Sequence, residues 1–396
     1  MIAGLPARTQ VGIVGGGPAG LLLSHLLGLA GISSVVMDAR SSQGLVPRIG
    51  AGVLEQGSCE LLTESGVGER LTREGSVQHG FELCFDGARH RIPLSMLTGG
   101  RSVTLYAQFE IVRDLLEARE DGGILAYDAR VTSISPGNAG PAAVEYVHDG
   151  KLGNLACEFV AGCDGFQGVA RRAIPAALRR EYLRDYPFAW FGILVEAPPS
   201  APELVYARHP RGFALVSAHA TGPQCMYLQC KPGARVEHWR DTAIWAELAT
   251  RLATRDGWRP AEGAIVNREL LPLRSFVCEP MRYGRLFLAG DAAHLVPPTA
   301  AKGLNLAIAD VRTLAQALVG HYLDGRADLL EAYSATCLQR AWRAQRFSAW
   351  MTTLLHRDPG AADFEVRLQQ EELEHLVGSR AAATALAENY VDLSRA

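Results

Sequence analysis

Gly15, Gly17 and Gly20 stand in the spacing G-x-G-x-x-G, directly after the apolar run Val11-Gly12-Ile13-Val14 and before a second apolar run from Leu21 to Leu29. Glycines at these places permit a tight turn and let a pyrophosphate approach the backbone N–H groups at a helix N-terminus. A further short run, Ser34-Val35-Val36-Met37, ends at Asp38, 18 residues beyond Gly20. There a carboxylate can accept hydrogen bonds from ribose hydroxyls. Alone the glycine pattern is a weak signal, and a plain turn is its ordinary reading. With strand-like runs on both sides and an acid at the end of the second, it predicts a βαβ unit that binds a dinucleotide. The spacing does not separate one dinucleotide from another.

Two further segments carry acids after strand-like runs: Cys163-Asp164-Gly165 and Gly290-Asp291-Ala292-Ala293-His294. Each alone reads as a surface turn, since Asp-Gly is a common turn pair. The elements that must position these groups follow from periodicity. Residues 45–75 read as helical with glycine breaks, and 77–106 as antiparallel strands. Gln108–Glu120 reads as a helix, with strands near 124–134 and 143–149 and at Phe159-Val160-Ala161-Gly162. Between about 183 and 270 short β-like runs (Trp190–Val195, Phe213–Ser217, Met226–Cys230) are split by Pro/Gly turns and by one helix, Thr242–Leu252. The α/β pattern then returns with a strand near Arg285–Gly290 and a long helix over Leu304–Tyr322, and the chain is helical from Leu329 onward.

The 396 residues are 48% hydrophobic and 20% charged, which suits a globular protein of two or three packed units. A formal net charge of −3 gives no footprint for nucleic acid or an anionic membrane. Only Lys151, Lys231 and Lys302 are lysines, a bias that reads as genomic rather than functional. Eight cysteines lie scattered without a C-x-x-C pair, so neither a zinc site nor a disulfide framework is expected, and no ligand cluster suggests a catalytic metal. The run after Leu21 is short and follows a glycine loop, not a basic leader, so it reads as a buried helix. The expected location is the cytoplasm.

Taken together and in this order, the glycine loop, Cys163-Asp164-Gly165 and Gly290–His294 resemble the FAD-dependent aromatic hydroxylases. Five further segments narrow that resemblance to the 4-hydroxybenzoate 3-monooxygenase family: Ala51–Gly57, His209–Leu215, Pro272–Phe276, Pro297-Pro298-Thr299 with Lys302–Asn305, and Ala387–Tyr390. The similarity runs from about residue 9 to 391. It implies an α/β fold with a discontinuous Rossmann-like FAD-binding domain (1–75, 100–182 and 268–350). An inserted mixed or antiparallel β-sheet substrate domain would comprise 76–99 and 183–267, and a helical C-terminal segment 351–396. Arg48, Gln56, Gln108, Asp164, Asp291, Leu304 and Asn305 would join Gly15, Gly17, Gly20 and Asp38 in holding FAD. Tyr206, Tyr390 and Pro298 would act on the ring hydroxyl, with Ser217, Tyr227 and Thr299 completing the pocket. The helix near Leu304 would aim its N-terminus at the flavin, where it favours negative charge. The activity implied is NAD(P)H- and O₂-dependent hydroxylation of a small aromatic acid through a flavin C4a-hydroperoxide, in a homodimer.

Several positions depart from the family. His219 and Cys225 stand where it has arginines facing the substrate carboxylate. An imidazole cannot make the two-pronged guanidinium contact, so a ring-substituted relative such as an amino-hydroxybenzoate becomes an expected substrate beside 4-hydroxybenzoate itself. Gly50 replaces an arginine near the pyrophosphate, Gln78 a proton-relay histidine, and Gln167 a histidine on the nicotinamide path. Arg274 is retained there. Ala39 and Gly44 lack the residues linked to the NADPH 2′-phosphate, for which Arg40 could substitute, leaving NADH and NADPH both open. A flavin-dependent halogenase is disfavoured, because Trp190-Phe191-Gly192 supplies no Trp-x-Trp. A flavin- or ligand-binding protein without turnover is the remaining alternative.

Overall fold

A computed structural model describes residues 5–41, 52–119, 123–137, 140–217 and 223–391. Its first sheet grows from the glycine-loop unit. Arg8–Val14 is flanked in parallel by Ser34–Met37 and Lys151–Gly162, and the parallel array is extended by Ile124–Ala126 on one side and Leu286–Leu288 on the other. Central parallel strands are buried on both faces, and accordingly every residue of Ser34–Met37 and Leu286–Leu288 is buried. Helix α1 (Pro18–Leu29) is apolar nearly all round because it is wrapped by the core: Leu21, Leu22, Leu23 and Leu27 are all buried. Ala142–His148 and Arg130–Ser135 form an antiparallel branch on Lys151–Gly162.

The second sheet has eight strands in the order His294–Leu295, Ala264–Glu279, Arg180–Glu196, Gln224–Cys230, Ala214–Ser217, Leu204–Ala207, Phe81–Phe85 and Ala88–Ile92. It is antiparallel except where Leu204–Ala207 runs parallel to Phe81–Phe85. Mixed α/β architecture is thus as the sequence suggested. Two local readings need correction. Residues 45–75 are not uniformly helical: Val53–Glu55 is a strand that pairs with Val103–Leu105, and helix α2 starts only at Gln56 (Gln56–Glu64). β-branched Val53 and the close approach of Gly52 to the Tyr106 carbonyl, where a Cβ would lie 2.0 Å away, favour pairing over helix there. Ala264–Glu279, which periodicity does not mark, is a 16-residue strand paired along most of Arg180–Glu196. Pro272 hides it. The proline sits beside the register shift between Asp185 and Ala189, a place where a missing N–H is tolerated.

The remaining helices used below are α3 (Gln108–Glu117), α4 (Asp241–Arg251), α5 (Gly303–Asp324), α6 (Asp328–Leu355), α7 (Asp363–Gly378) and α8 (Arg380–Tyr390). One apolar core surrounds the first sheet, and two others lie on the faces of the second. None of the eight cysteines forms a disulfide. Among the described residues no helix is long and apolar enough to cross a membrane, and no His/Cys/Asp/Glu group could hold a metal.

Candidate active site

A cavity of about 850 Å³ lies between the two sheets. From the first come Gly15, Gly17, Asp38, Arg40, Asp164, Gly290 and Asp291, all at or just beyond the carboxyl ends of parallel strands, where open α/β sheets bind ligands. From the second come Trp190, Leu204, Tyr206, Leu215, Tyr227 and Leu271. The strand register explains the latter set. Tyr206 pairs with Leu215 and Leu215 with Tyr227, so the three lie abreast and point to one face.

The glycine loop is shaped by close backbone packing. At Gly15, φ is +105° and a Cβ would lie 2.2 Å from the Cys163 carbonyl oxygen; at Gly20 it would lie 1.9 Å from the Gly15 carbonyl oxygen. Gly17 has nothing within 4 Å of its Cβ position and opens onto the cavity. Helix α1 begins there without a side-chain cap, as does α5 at Gly303. Two uncapped helix N-termini therefore meet one cavity, each with unsatisfied N–H groups and a positive dipole end.

Asp38 is buried and takes four hydrogen bonds: from Gly16 N at 2.7 Å, and from Arg40 N, Nε and Nη2 at 2.8, 2.9 and 2.6 Å. Burial alone would raise its pKa, but Arg40 and the Gly16 amide outweigh that and lower it. Arg40 thus sits on Asp38 in the cavity wall. Asp164 is pushed the other way, upward, chiefly by burial; its Oδ2 accepts from Ala170 N at 2.8 Å and its Oδ1 has no partner among the described residues.

Gln108, at the start of α3, and Leu304 also line the cavity. Asn305 does not: its side chain accepts from Glu55 N and Ser58 Oγ and donates to the Val53 and Ala301 carbonyls, tying α5 to the Val53–Glu55 strand and the start of α2. Gln56 is exposed and donates to Glu60. Arg48, Gly44, Gly50 and His219 lie outside the described residues.

At the other end, the Tyr206 and Tyr390 hydroxyls are 2.7 Å apart, and both side chains are about 2% exposed. Burial pushes the Tyr206 phenol up to about 12, against the pull of its bond to Tyr390, and raises Tyr390 well above its ordinary value too. Both are neutral near pH 7. Pro298 borders the cavity, while Thr299 is fully buried beside Thr352 at 2.9 Å. Ser217 and Cys225 face each other across neighbouring strands. Ser217 Oγ is buried without a partner among the described residues. Gln78 is buried, whereas the adjacent His79 is exposed and bound to Ser95. Arg274 pairs with Asp185 at 2.9 Å and stacks on Phe166.

A matching family model, described as an FAD binding domain, spans residues 8–348. The chain is 44% identical over 387 residues to p-hydroxybenzoate hydroxylase of Acinetobacter baylyi, covering 98% of this chain and 96% of that one. It belongs to the FAD-dependent aromatic hydroxylases. A probable NADH-specific resorcinol 4-hydroxylase from Rhodococcus jostii is 26% identical, over 82% of this chain and 62% of its own length. The crystal structure of p-nitrophenol 4-monooxygenase PnpA from Pseudomonas putida shares the fold, with a TM-score of 0.85 at 18% identity and coverage of 99% and 100%. This hydroxylase therefore takes FAD, and the two open helix ends, the glycine loop and Asp38 fit it.

Three residues of the site escaped the sequence reading. Trp190 lines the cavity, and its Nε1 donates to His356 Nε2 at 2.6 Å; His356 Nδ1 in turn donates to the Thr352 carbonyl at 2.9 Å. These partners fix a neutral tautomer, and burial drives the His356 pKa down to about 3. With Trp190 and His356 166 positions apart, no local pattern could pair them. The third is Asp310, buried in α5, which accepts from His294 Nε2 at 2.6 Å and from Gly290 N at 3.0 Å. Its spacing on a helix reads as nothing more than one polar residue among apolar neighbours.

Proposed function

We propose that this hydroxylase adds oxygen to a 4-hydroxybenzoate-type aromatic acid, ortho to its activating hydroxyl, with NAD(P)H and O₂. The observation that carries the reading is the buried Tyr206–Tyr390 pair, 2.7 Å apart, at the end of the cavity away from the glycine loop. Bound FAD would supply the redox chemistry, namely hydride acceptance from NAD(P)H and activation of O₂. The protein supplies orientation, dryness and proton control.

With a phenol at about 12, Tyr206 is no base at neutral pH. It is suited to donating: its hydroxyl, partnered by Tyr390, would hydrogen-bond the ring oxygen and favour the ionised form, while Tyr390 would extend the path by which the ring proton leaves. The ring thereby gains phenolate character and becomes a better target for electrophilic oxygen. The Pro298 carbonyl would accept from the same hydroxyl. Trp190, Leu204, Leu215 and Leu271 keep the ring dry. Ser217 and Tyr227 would face the carboxylate, and Thr299 would support the pocket beside Pro298. Gly15, Gly17, Gly20, Asp38, Gln108, Asp164, Asp291 and Leu304 would hold FAD, and Arg274 would meet the nicotinamide cofactor.

At the carboxylate end Cys225 brings no guanidinium. A lost charge-assisted hydrogen bond weakens binding by about 1.5–3 kcal/mol, or roughly one to two decades. A substituted substrate with more polar contacts, such as an amino-hydroxybenzoate, fits this pocket; 4-hydroxybenzoate itself is the second reading, favoured by the 44% identical relative. The test is ligand-stimulated NAD(P)H oxidation by the FAD-loaded enzyme, using 4-hydroxybenzoate and its 3-amino, 3-hydroxy and 4-amino relatives, with mass spectrometry of the products. Coupled turnover of the parent acid supports the second reading, and coupling with a substituted acid alone supports the first. If no acid of the panel is hydroxylated, both readings are wrong.

A further inference from the structure

A second cavity, of about 370 Å³, opens where the first turn of α5, the middle of α6 and the end of α8 meet. That volume falls within the range of about 300–1,000 Å³ typical of small-ligand sites. Its floor is apolar, made by Leu306, Ala309, Ala344 and Phe347. Arg340, Arg343 and Arg346 recur every three residues along α6 and so share one face of its wall, which also carries the acidic Glu388 and Glu55. Arg346 is already engaged, donating to Asn389 Oδ1 at 2.5 Å, and Lys302 at the inner wall is paired with Glu55 at 2.5 Å.

Arg340 and Arg343 stand apart from these. Among the described residues neither forms an ion pair, and Arg340 Nη1 is buried with no hydrogen-bond acceptor. A buried guanidinium N–H without an acceptor is costly, more so than a neutral group in the same place. The cavity thus joins an unmet demand for an anion to an apolar floor.

We propose that this cavity is a second ligand site, for an aromatic carboxylate. The carboxylate would take the forked donors of Arg340 and Arg343, whose planar geometry matches two oxygens, and the ring would lie on Phe347 and Leu306. The site is separate from the main cavity, with which it shares none of its lining residues. It touches the hydroxylation machinery at one point: Lys302 Nζ also donates to the Tyr390 carbonyl at 2.9 Å. The assignment does not depend on which aromatic acid is hydroxylated.

The test titrates the FAD-loaded full chain with benzoate and follows heat and flavin absorbance in parallel. Benzoate in the main cavity perturbs the flavin spectrum, whereas benzoate on Arg340 and Arg343 is silent there. Two classes of binding are expected. In an Arg340→Gln/Arg343→Gln variant the flavin-silent class should weaken at least tenfold, with the flavin-perturbing class unchanged within twofold and FAD content retained. A single class in the unaltered enzyme, or a silent class that survives both substitutions, overturns the site. Sulfate displacing benzoate at equal concentration overturns the aromatic part of the assignment.

Discussion

Two phenols in a dry pocket are a costly arrangement unless each hydroxyl has a partner, and Tyr206 and Tyr390 meet that need through each other. Removing the first hydroxyl should leave the fold and FAD content intact while disabling ring activation. Tyr206→Phe is therefore expected to lower turnover on the order of 10²-fold, with little change in substrate Kd; an unchanged turnover number would show that this phenol takes no part. His356 gives a second prediction, in stability. Its folded pKa of about 3 lies below the ordinary value, so the unfolded chain binds the proton more readily. The contribution of neutral His356 is complete above about pH 6.5 and is lost as pH falls from there toward 3, at about 1.4 kcal/mol per pH unit from this one group. Urea unfolding between pH 7 and 5 should show that slope in the native enzyme and lack it in His356→Gln; equal slopes would refute the assignment. These residues also show what the sequence can tell. The alternation that puts Tyr206, Leu215 and Tyr227 on one sheet face is readable in principle, but their role came only from family resemblance. His356 was invisible, because its environment is assembled by three aromatic rings from distant strands, Phe188, Trp190 and Phe213.

Elements were legible where local chemistry and tertiary packing agree. The glycine loop, α1 and Ser34–Met37 could be read because Gly15 and Gly20 are demanded by backbone contacts within the same unit or just beyond the next parallel strand. The pairing of Arg180–Glu196 with Ala264–Glu279 could not, since its exposed stretches and Pro272 blur the alternation and the register breaks midway. The Gly290–Asp291 turn falls between these cases: its residues were found, but not what holds them. Asp310 holds them, joining α5 to the turn through Gly290 N and His294. Burial works against a charge on His294, yet the Asp310 carboxylate outweighs it and raises the pKa. That contribution is whole below about pH 6.5, the ordinary histidine value, and fades as pH rises through the raised folded value. Asp310→Asn should then release the turn, weakening FAD binding at least tenfold by fluorescence titration and flattening the alkaline loss of thermal stability. Native FAD affinity and an unaltered pH profile in the variant would mean that the pair is only a packing feature.

At the scale of the molecule, the cavity depends on two lobes keeping one spacing, and α6 is the member that belongs to both. Its first half places Leu330, Tyr333 and Cys337 in the core around the first sheet; its second half places Phe347, Met351, Leu354 and Leu355 in the core behind the tyrosine pair. A continuous 28-residue helix transmits position rigidly, because each turn is bonded to the next and side chains on both halves are fully buried. Unfolding of one lobe therefore removes packing from the other, and FAD, gripped in the first lobe, should protect both by mass action, by about 2.7 kcal/mol at a hundredfold excess over Kd. In the native enzyme, FAD release and the change in tryptophan fluorescence, which reports the second lobe through Trp190, should occur in one transition. Ala341, fully buried between the two halves, is the place to interrupt that transmission. A proline there removes a helical hydrogen bond and clashes with the preceding turn, at a cost of about 3 kcal/mol or more. In Ala341→Pro the two signals should separate, with FAD lost at a temperature different from the fluorescence midpoint. Coincident transitions in the variant would show that the lobes are coupled through other contacts, and that α6 merely rests on both.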